Sequence, residues 1–508
     1  MMSSVSNLES MFTMTMASAI LPQLIVAFGI VLALLLVAWR RSQRIISLFT
    51  CATLLVSLFA NFALISIPVT QVTQLLKVDG YSIFAFSLVL ISTLTALRLS
   101  HSFLKAHIEV HDEYYILLLL LVLGAGILVI SDHFASLFLG FELLSISLVG
   151  LVGYHRESDY SVESGFKYLI LSATASSFML LGIAFIYSIT GDMSFNAMTV
   201  DAAMPNAAMS NADIANADNP LATDLFLHLG ILLFISGIAF KLSLAPFHFW
   251  VPDVYQGAPT PITMLMATIS KIAMFVVLLK CIVAQRYLLQ DSFQLLLMIL
   301  AVISMLLGNI MALKQQSLKR LLAYSSIAHM GYLLIVIIVT SEQSIAFSWQ
   351  TSLFYLAAYM VANLSIFIVI SLMQLPQGNS RYQEDISIVD LRGLFWRAPS
   401  CGVLLILAVL SLAGIPLTMG FIAKFYILSQ ATLANAWWLI TTLIIGSGIG
   451  LAYYLPMIFK LFESELTAST QGQLAKDHML EKLLIFSFIV VGLLFGILPD
   501  VINQFILV

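Results

Sequence analysis

Five charged side chains interrupt long apolar segments of the sequence. They are one glutamate and four lysines: Glu142, Lys167, Lys241, Lys271 and Lys424. A cation near the middle of a bilayer costs at least about 2.5–3.5 kcal/mol, so an intramembrane lysine indicates a functional role by default. Four ammonium groups and one carboxylate in apolar sequence therefore predict proton transfer within a membrane.

Two of these lysines, Lys241 and Lys424, lie near a proline that breaks a helix. Lys241 lies five residues before Pro246, in FKLSLAPFHFW, and Lys271 lies in the middle of the next apolar run. Lys424 follows Pro416 in SLAGIPLTMGFIAKFYIL. Proline removes a backbone donor and frees carbonyls that only protein or water can satisfy at membrane depth. A broken helix beside a buried charge predicts an ion path.

Two histidines and Lys167 each have two interpretations. His248 follows Pro246, and its imidazole either relays protons or is a hydrogen-bonded structural group. His329 lies with Ser325 and Ser326 on a polar patch, for which hydrogen bonding between helices is the alternative explanation. Lys167 lies about one turn inside its span, where its side chain can also extend to the membrane interface.

The buried groups predict one mechanism of coupling. Burial disfavours the charged form of a carboxyl or an amine, whereas a nearby opposite charge favours it. A buried carboxylate and a buried ammonium therefore stabilise each other's charge when they approach. If Glu142 and Lys241 separate, the lysine releases a proton more readily. That proton can pass through water and serine or histidine side chains to Lys271 and then to Lys424, which gives a lateral chain of titrating residues.

The composition is that of a membrane protein with many spans. Of 508 residues, 61% are hydrophobic and 9% are charged, and the mean hydropathy is +1.02. A soluble domain has roughly 25% charged residues. Because a helix needs about 20 apolar residues to cross a bilayer, fourteen spans are predicted. They cover 18–39, 45–67, 81–97, 114–130, 134–154, 162–189, 225–244, 261–283, 293–313, 321–339, 352–373, 403–428, 437–461 and 483–498.

We expect an all-α polytopic membrane protein whose spans form two inverted five-helix repeats. The two broken helices, the seventh and twelfth spans, take equivalent places if spans four to eight and nine to thirteen correspond. The division is an N-terminal three-helix segment at 1–112, repeats at 113–285 and 286–462, and a C-terminal helix at 463–508.

Basic residues predict the orientation. Of the 22 Lys and Arg residues, fifteen fall on one side of the fourteen spans, three on the other, and four inside spans. Since cytoplasmic loops are rich in Lys and Arg, the side with three, which carries both termini, is predicted to face away from the cytoplasm.

Several other chemistries have no sequence support. Cys51, Cys281 and Cys401 form no pair with the spacing of a redox centre or metal site. The sequence has no phosphate-binding loop and no HExxH motif. We therefore assign no cofactor, metal site or electron transfer to this chain.

Six motifs together resemble one family over nearly the whole chain, the antiporter-like subunits of respiratory complex I. They are LFLGFELLSISLVGLVGY, FKYLILSATASSF, FKLSLAPFHFWVPDVYQGAP, TISKIAMF, LKRLLAYSSIAHMGYLL and SLAGIPLTMGFIAKFYIL. The chain is most similar to the N-type subunit, whose chloroplast counterpart is also similar. It ends without the lateral helix of the L-type subunit, and Lys424 stands where the M-type subunit has glutamate.

The resemblance implies a proton-translocating subunit of a bacterial NADH-quinone oxidoreductase in the inner membrane. It implies that Glu142 and Lys241 form an ion pair that Lys167 modulates, that Lys271 is central, and that Lys424 connects to the external side. NADH, FMN, the iron–sulfur clusters and the quinone then belong to partner subunits. The expected partners are neighbouring membrane subunits, other antiporter-like chains among them, together with lipid and protons, and no nucleic acid.

Two other functions remain open from the sequence. A subunit of a multisubunit Na⁺/H⁺ antiporter has the same halves and charges, and only overall likeness of motifs separates it. A stand-alone secondary transporter requires a substrate pocket, whereas the polar residues here form a proton-type chain. An inert scaffold is disfavoured by the cost of four buried lysines.

Overall fold

The computed structural model describes residues 16–65, 68–107, 112–195, 220–284, 291–374, 385–463 and 479–507. Within these ranges the chain forms long α-helices joined by loops and single-turn helices. It also has one short antiparallel hairpin, in which Thr70–Gln71 pairs with Lys77–Val78. The all-α polytopic fold expected from composition is confirmed.

The helices are labelled in chain order. They are α1 (Leu21–Ala38), α2 (Gln43–Phe62), α3 (Gly80–His107), α4 (Asp112–Ile130), α5 (Phe134–Val152), α6 (Asp159–Thr190), α7 (Pro220–Leu242), α8 (Trp250–Gly257), α9 (Thr260–Ala284), α10 (Asp291–Ala312), α11 (Leu318–Ile338), α12 (Ile345–Gln374), α13 (Pro399–Ala413), α14 (Met419–Leu433), α15 (Trp437–Phe462), α16 (Met479–Ile497) and α17 (Pro499–Leu507).

Each of the fourteen predicted apolar runs contains helix. Among the described residues, twelve helices are long and apolar enough to cross a membrane, and the bent pair α16–α17 gives a thirteenth. The other predicted span is divided between α13 and α14, each too short to cross alone. The C-terminal segment differs from the single helix expected there, because the chain turns by 89° before Pro499 and continues as α17.

Both predicted helix breaks are confirmed. Helix α7 ends at Leu242, and the chain passes through Ser243, whose φ is 64°, before α8 begins. Helix α13 ends at Ala413 and is followed by Gly414 with a φ of 82° and Leu417 with a φ of 70°. These left-handed residues stop the helical hydrogen bonding, so the last carbonyls of α7 and α13 need other donors.

Three helices form the centre of the protein. Helices α9, α11 and α12 are buried along their whole membrane-spanning windows, whereas only 33% of the window is buried in each of α1 and α2. Helix α3 packs against α9 and α12, and so joins the N-terminal segment to the centre. The predicted proton-transfer residues on α9 and α11 are therefore shielded from lipid by the surrounding helices.

The same pairs of helices pack together in both predicted repeats. In the first, α4 packs on α5, α6 on α7, and α9 on α4. In the second, α10 packs on α11, α12 on α13 and α14, and α15 on α10. This correspondence agrees with two five-helix units, and their inverted relation remains a prediction.

Glycines bring equivalent helix pairs close together. A Cβ at Gly124 of α4 would lie 2.7 Å from the backbone nitrogen of Leu144 in α5. A Cβ at Gly308 of α10 would lie 2.7 Å from the backbone nitrogen of Ala328 in α11. Small residues at such crossings allow backbones to approach within a membrane, where no hydrophobic effect drives helices together.

We expect Gly420→Ala to destabilise the second broken helix. A Cβ at Gly420 would lie 1.9 Å from the carbonyl oxygen of Ser411, so α14 would have to move away from α13. Such overpacking costs about 1–3 kcal/mol. The measurement is the thermal unfolding midpoint of the purified protein. Gly448→Ala on α15 is the control, since nothing lies within 4 Å of its Cβ, and equal midpoints for both variants would contradict the packing.

Candidate functional site

Lys241 lies at the end of α7 among aromatic side chains. It is buried, and its Nζ donates hydrogen bonds to the hydroxyl of Tyr168 at 2.6 Å and to Ser172 Oγ at 3.2 Å. The ammonium also lies 5.0 Å from the ring centroid of Phe141. The neighbours of this predicted site residue are therefore neutral hydrogen-bond acceptors and the faces of aromatic rings. Both stabilise a cation without supplying a negative counter-ion.

Glu142 is close enough to act on this site electrostatically, but it makes no direct ion pair in the described structure. Its carboxylate interacts with both Lys241 and Tyr168 through the local field. Its Oε1 atom is buried and has no hydrogen-bond partner among the described residues. The resemblance implied an ion pair of Glu142 with Lys241, whereas the structure places the Tyr168 hydroxyl in contact with the ammonium.

Lys271 stabilises the first helix break. It is fully buried on α9, and its Nζ donates to the carbonyl oxygen of Lys241 at 2.9 Å and to Ser243 Oγ. Trp250 Nε1 donates to the preceding carbonyl, that of Phe240, at 3.1 Å. Backbone groups of Ser243 and Leu244 reach the carbonyls of Phe240 and Ala239. The carbonyl groups at the end of α7 thus accept hydrogen bonds from within the protein.

Lys424 stabilises the second helix break. Its Nζ donates hydrogen bonds of 3.0 Å to the carbonyl oxygens of Leu412 and Ala413, the last two residues of α13. The ammonium also lies 5.2 Å from the ring centroid of Tyr332. A helix carboxyl end carries about half a negative charge, so each break offers a preformed site for a cation.

His329 lies beside Lys424 in a group of hydroxyls. Its Nδ1 shares a hydrogen bond of 2.7 Å with the hydroxyl of Tyr355, and its Nε2 lies 3.5 Å from that of Tyr454. His329, Tyr355, Tyr359 and Lys424 together line a small cavity. Both ring nitrogens therefore face groups that can give or accept a proton.

Three further hydroxyls lie between the lysine sites of the two halves. Ser326 lies close to the hydroxyls of Tyr255 and Tyr359, and Tyr255 also interacts with Tyr168. None of these three hydroxyl oxygens has a full hydrogen bond to another described residue. Buried polar groups without protein partners are where ordered water is held. We call Tyr255, Ser326 and Tyr359 the bridging hydroxyls.

Lys167 is placed apart from this group. Its side chain is 41% exposed and pairs with Glu163 at 2.6 Å and Asp253 at 3.1 Å. Asp253 also accepts a 2.7 Å hydrogen bond from Arg320, at the start of α11. Neither Asp253 nor Arg320 stands out in the sequence, since charges at the ends of spans are common. Together they tie α6, α8 and α11 at one membrane face.

His248 lies in the first break and is buried. Its Nδ1 atom has no hydrogen-bond partner within the described ranges, and its ring contacts that of Phe249. The two interpretations of His248 both remain predictions. No group of three or more His, Cys, Asp or Glu residues able to hold a metal occurs in the part of the chain that the structure describes.

We expect Asp253→Ala to destabilise the protein more than Glu163→Ala. Asp253 pairs with two cations on two other helices, whereas Glu163 pairs with Lys167 on its own helix. Partly exposed ion pairs contribute about 0.2–1 kcal/mol each, so the expected loss is about 0.4–2 kcal/mol for Asp253→Ala and under about 0.5 kcal/mol for Glu163→Ala. Thermal unfolding of both variants measures the difference, and a larger loss for Glu163→Ala would contradict it.

Three solved structures have the same fold. A chain in respiratory complex I from Thermus thermophilus with bound aureothin is 27% identical, with 95% of this chain and 98% of that chain covered and a TM-score of 0.78. A chain of an archaeal membrane-bound sulfane sulfur reductase is 21% identical, with 97% and 96% covered and a TM-score of 0.79. A chain of the Mrp complex from Dietzia sp. DQ12-45-1b is 19% identical, with 96% of each chain covered and a TM-score of 0.79.

The family model described as the NADH:quinone oxidoreductase/Mrp antiporter transmembrane family matches residues 131–450. The matched range contains both helix breaks and all five intramembrane charges predicted from the sequence. The chain therefore belongs to this family of antiporter-like membrane subunits.

Proposed function

We propose that this chain is the N-type antiporter-like subunit of a bacterial NADH-quinone oxidoreductase and moves protons across the inner membrane. Quinone reduction in partner subunits drives the transfer, and NADH, FMN and the iron–sulfur clusters belong to those partners. The 27% identity to a complex I chain, against 19% to an Mrp chain, favours this assignment over a Na⁺/H⁺ antiporter subunit.

One observation carries the proposal: three buried ammonium groups are hydrogen-bonded to neutral groups alone in the described structure. Lys241 donates to two hydroxyls, Lys271 to one backbone carbonyl and one hydroxyl, and Lys424 to two backbone carbonyls. No carboxylate oxygen of a described residue lies within 4.0 Å of any of the three. A buried charge that no counter-ion neutralises gains or loses its proton in response to small changes in nearby charge.

The described contacts support a route between these lysines. Lys271 contacts the carbonyl of Lys241, so the first two ammonium sites are adjacent. From Lys241 the route runs through Tyr168 and the bridging hydroxyls to the cavity that His329 shares with Lys424. Water in the gaps would complete a lateral chain for protons, which Lys271 joins beside Lys241.

Orientation and the role of Glu142 are also proposals. The count of basic residues places both termini on the periplasmic side. Glu142 acts on Lys241 through the field, so a change in its charge alters how firmly Lys241 holds a proton. Lys167, paired with Asp253 at the face predicted to be cytoplasmic, modulates the site from the edge of the membrane.

We expect Lys241→Ala or Glu142→Ala to lower the number of protons pumped per NADH oxidised while the complex assembles. The alanine at Lys241 removes a titrating group, and the one at Glu142 removes the charge that controls it. The measurement is acidification of vesicles that contain the whole complex, normalised to NADH oxidation. Lys460→Ala, at the exposed end of α15, is the control.

Unchanged pumping by the fully assembled Lys241→Ala complex would contradict the proposed function. Purifying the native assembly and identifying its subunits separates the alternatives. Na⁺-dependent transport without NADH oxidation would assign the chain to a Na⁺/H⁺ antiporter complex.

We expect Lys271→Arg to lower proton pumping at least about tenfold, the effect of roughly 1.4 kcal/mol, because a guanidinium keeps its proton in a protein. Lys280→Arg is a matched control on the same helix. Lys280 lies 3.7 Å from Asp79 in an ion pair that arginine can keep. Full pumping by Lys271→Arg would show that titration at this position is unnecessary.

A further inference from the structure

A long apolar cavity lies between the N-terminal segment and the C-terminal helices. Helices α2 and α3 line it on one side, and α12, α14, α16 and α17 line it on the other. Its volume is about 370 Å³. We call it the apolar slot, and its lining includes Phe62, Gly80, Ile91, Met360, Val491 and Phe505. Protein interiors have few voids larger than a water molecule, so a cavity of this size indicates a binding site.

The slot offers no place for ordered water among the residues that the structure describes. Ser87 and Ser487 carry the two polar side chains of this lining, and both are already hydrogen-bonded within the protein. Ser87 Oγ donates to the carbonyl oxygen of Ile83 at 3.0 Å, and Ser487 Oγ donates to that of Leu484 at 2.8 Å. A buried water needs about two to four polar partners, whereas an apolar cavity stays dry and binds apolar molecules. The ligand that fits the slot is therefore a hydrocarbon.

The slot runs from one membrane face to the middle of the bilayer. On α3 its lining extends from Gly80, the first residue of the helix, to Ile91, near the centre of the membrane-spanning part Gly80–His101. With a rise of about 1.5 Å per residue, these two positions are about 16 Å apart, roughly half the thickness of the hydrocarbon core. The slot therefore has the depth of one leaflet.

The slot is continuous with the lipid-facing surface of the protein. Phe62, Ser487 and Phe505 belong to its lining and are exposed, so it is open to the bilayer along one side. Its inner end, at Met360 and Met419, is almost completely buried. A hydrocarbon chain can thus enter sideways from the bilayer and reach helices that lipid does not otherwise contact.

The dimensions of the slot fit one acyl chain. A dry cavity of about 150 Å³ binds benzene, so by proportion a cavity of about 370 Å³ takes roughly fifteen carbons. That is the size of a single acyl chain of a membrane phospholipid. A helix with its side chains is about 10–12 Å across, which is too wide for a cavity of this volume and depth.

We propose that the apolar slot binds one acyl chain of a phospholipid, from the leaflet in which α3 begins. The charge count predicts that this leaflet is the external one. The bound chain joins the N-terminal segment to α16 and α17, and it packs against Met360 and Val361 on α12. The inference depends on the membrane fold alone, so it stands or falls separately from the proposed function.

The test is photolabelling of the native assembly in vesicles of phosphatidylethanolamine and phosphatidylglycerol. A trace of the phosphatidylglycerol carries a diazirine at the end of one acyl chain, and mass spectrometry of peptides locates the label. We expect label on Met360 and Met419, which are 3% and 2% exposed and lie out of reach of lipid outside the slot. In Val491→Phe a larger side chain occupies the slot, so this labelling falls about tenfold or more, the effect of overpacking a filled cavity.

Val490→Phe is the matched control. Val490 is the adjacent residue on α16, is 39% exposed and lies outside the lining of the slot. The same substitution there adds the same ring on the lipid side, so we expect Met360 and Met419 to be labelled as in the wild type.

Three results would overturn the proposal. The first is a wild-type assembly with no label on Met360 or Met419, which requires no variant. The second is equal labelling of these residues in the wild type and in Val491→Phe. The third is a cryo-electron microscopy map of the same assembly in which a helix of a partner subunit or the isoprenoid tail of a quinone occupies the slot. Density for an acyl chain that continues to a phosphate headgroup would support it.

Discussion

The structure depends on lysine ammonium groups that satisfy the carboxyl ends of interrupted helices. At membrane depth a free carbonyl has no bulk water to bond, so a helix can stop there only where protein or enclosed water supplies a donor. Lys271 supplies it for α7 and Lys424 for α13. The same contacts hold each ammonium by partial charges, so the lysine is retained without a counter-ion. One interaction thus permits the broken helix and keeps a titratable group in the membrane interior.

This arrangement also explains why the centre of the protein is so fully enclosed. A lysine held by carbonyl dipoles responds to small changes in field only where lipid headgroups and bulk water do not screen it. Helices α9, α11 and α12 supply that enclosure, since their membrane-spanning windows are wholly buried. In the proposed function, water at the bridging hydroxyls joins the two lysine sites across the boundary between the predicted repeats. A displacement of charge near Lys241 would in this way change the charge state of Lys424.

Much of the framework could be predicted from the sequence, because apolar runs and prolines are strong signals. Lys271, Lys424 and both breaks were recognisable in the sequence as polar or helix-breaking residues in apolar surroundings. Tyr168 and Asp253 were not, since tyrosines and acids are ordinary at membrane interfaces, and only tertiary packing shows which of them meet the lysines. The resemblance implies a direct contact between Glu142 and Lys241, whereas the structure places Tyr168 in contact with Lys241. Local sequence spacing does not predict which tyrosine of a neighbouring span makes that contact.

We infer that the buried lysines exchange protons through water at the bridging hydroxyls. The most direct measurement is a cryo-electron microscopy map of the native assembly at a resolution that shows ordered water. We predict water density within hydrogen-bond distance of the oxygens of Tyr255, Ser326 and Tyr359, continuous with the cavity beside Lys424. A dry gap filled by apolar side chains between Lys241 and His329 would contradict the account.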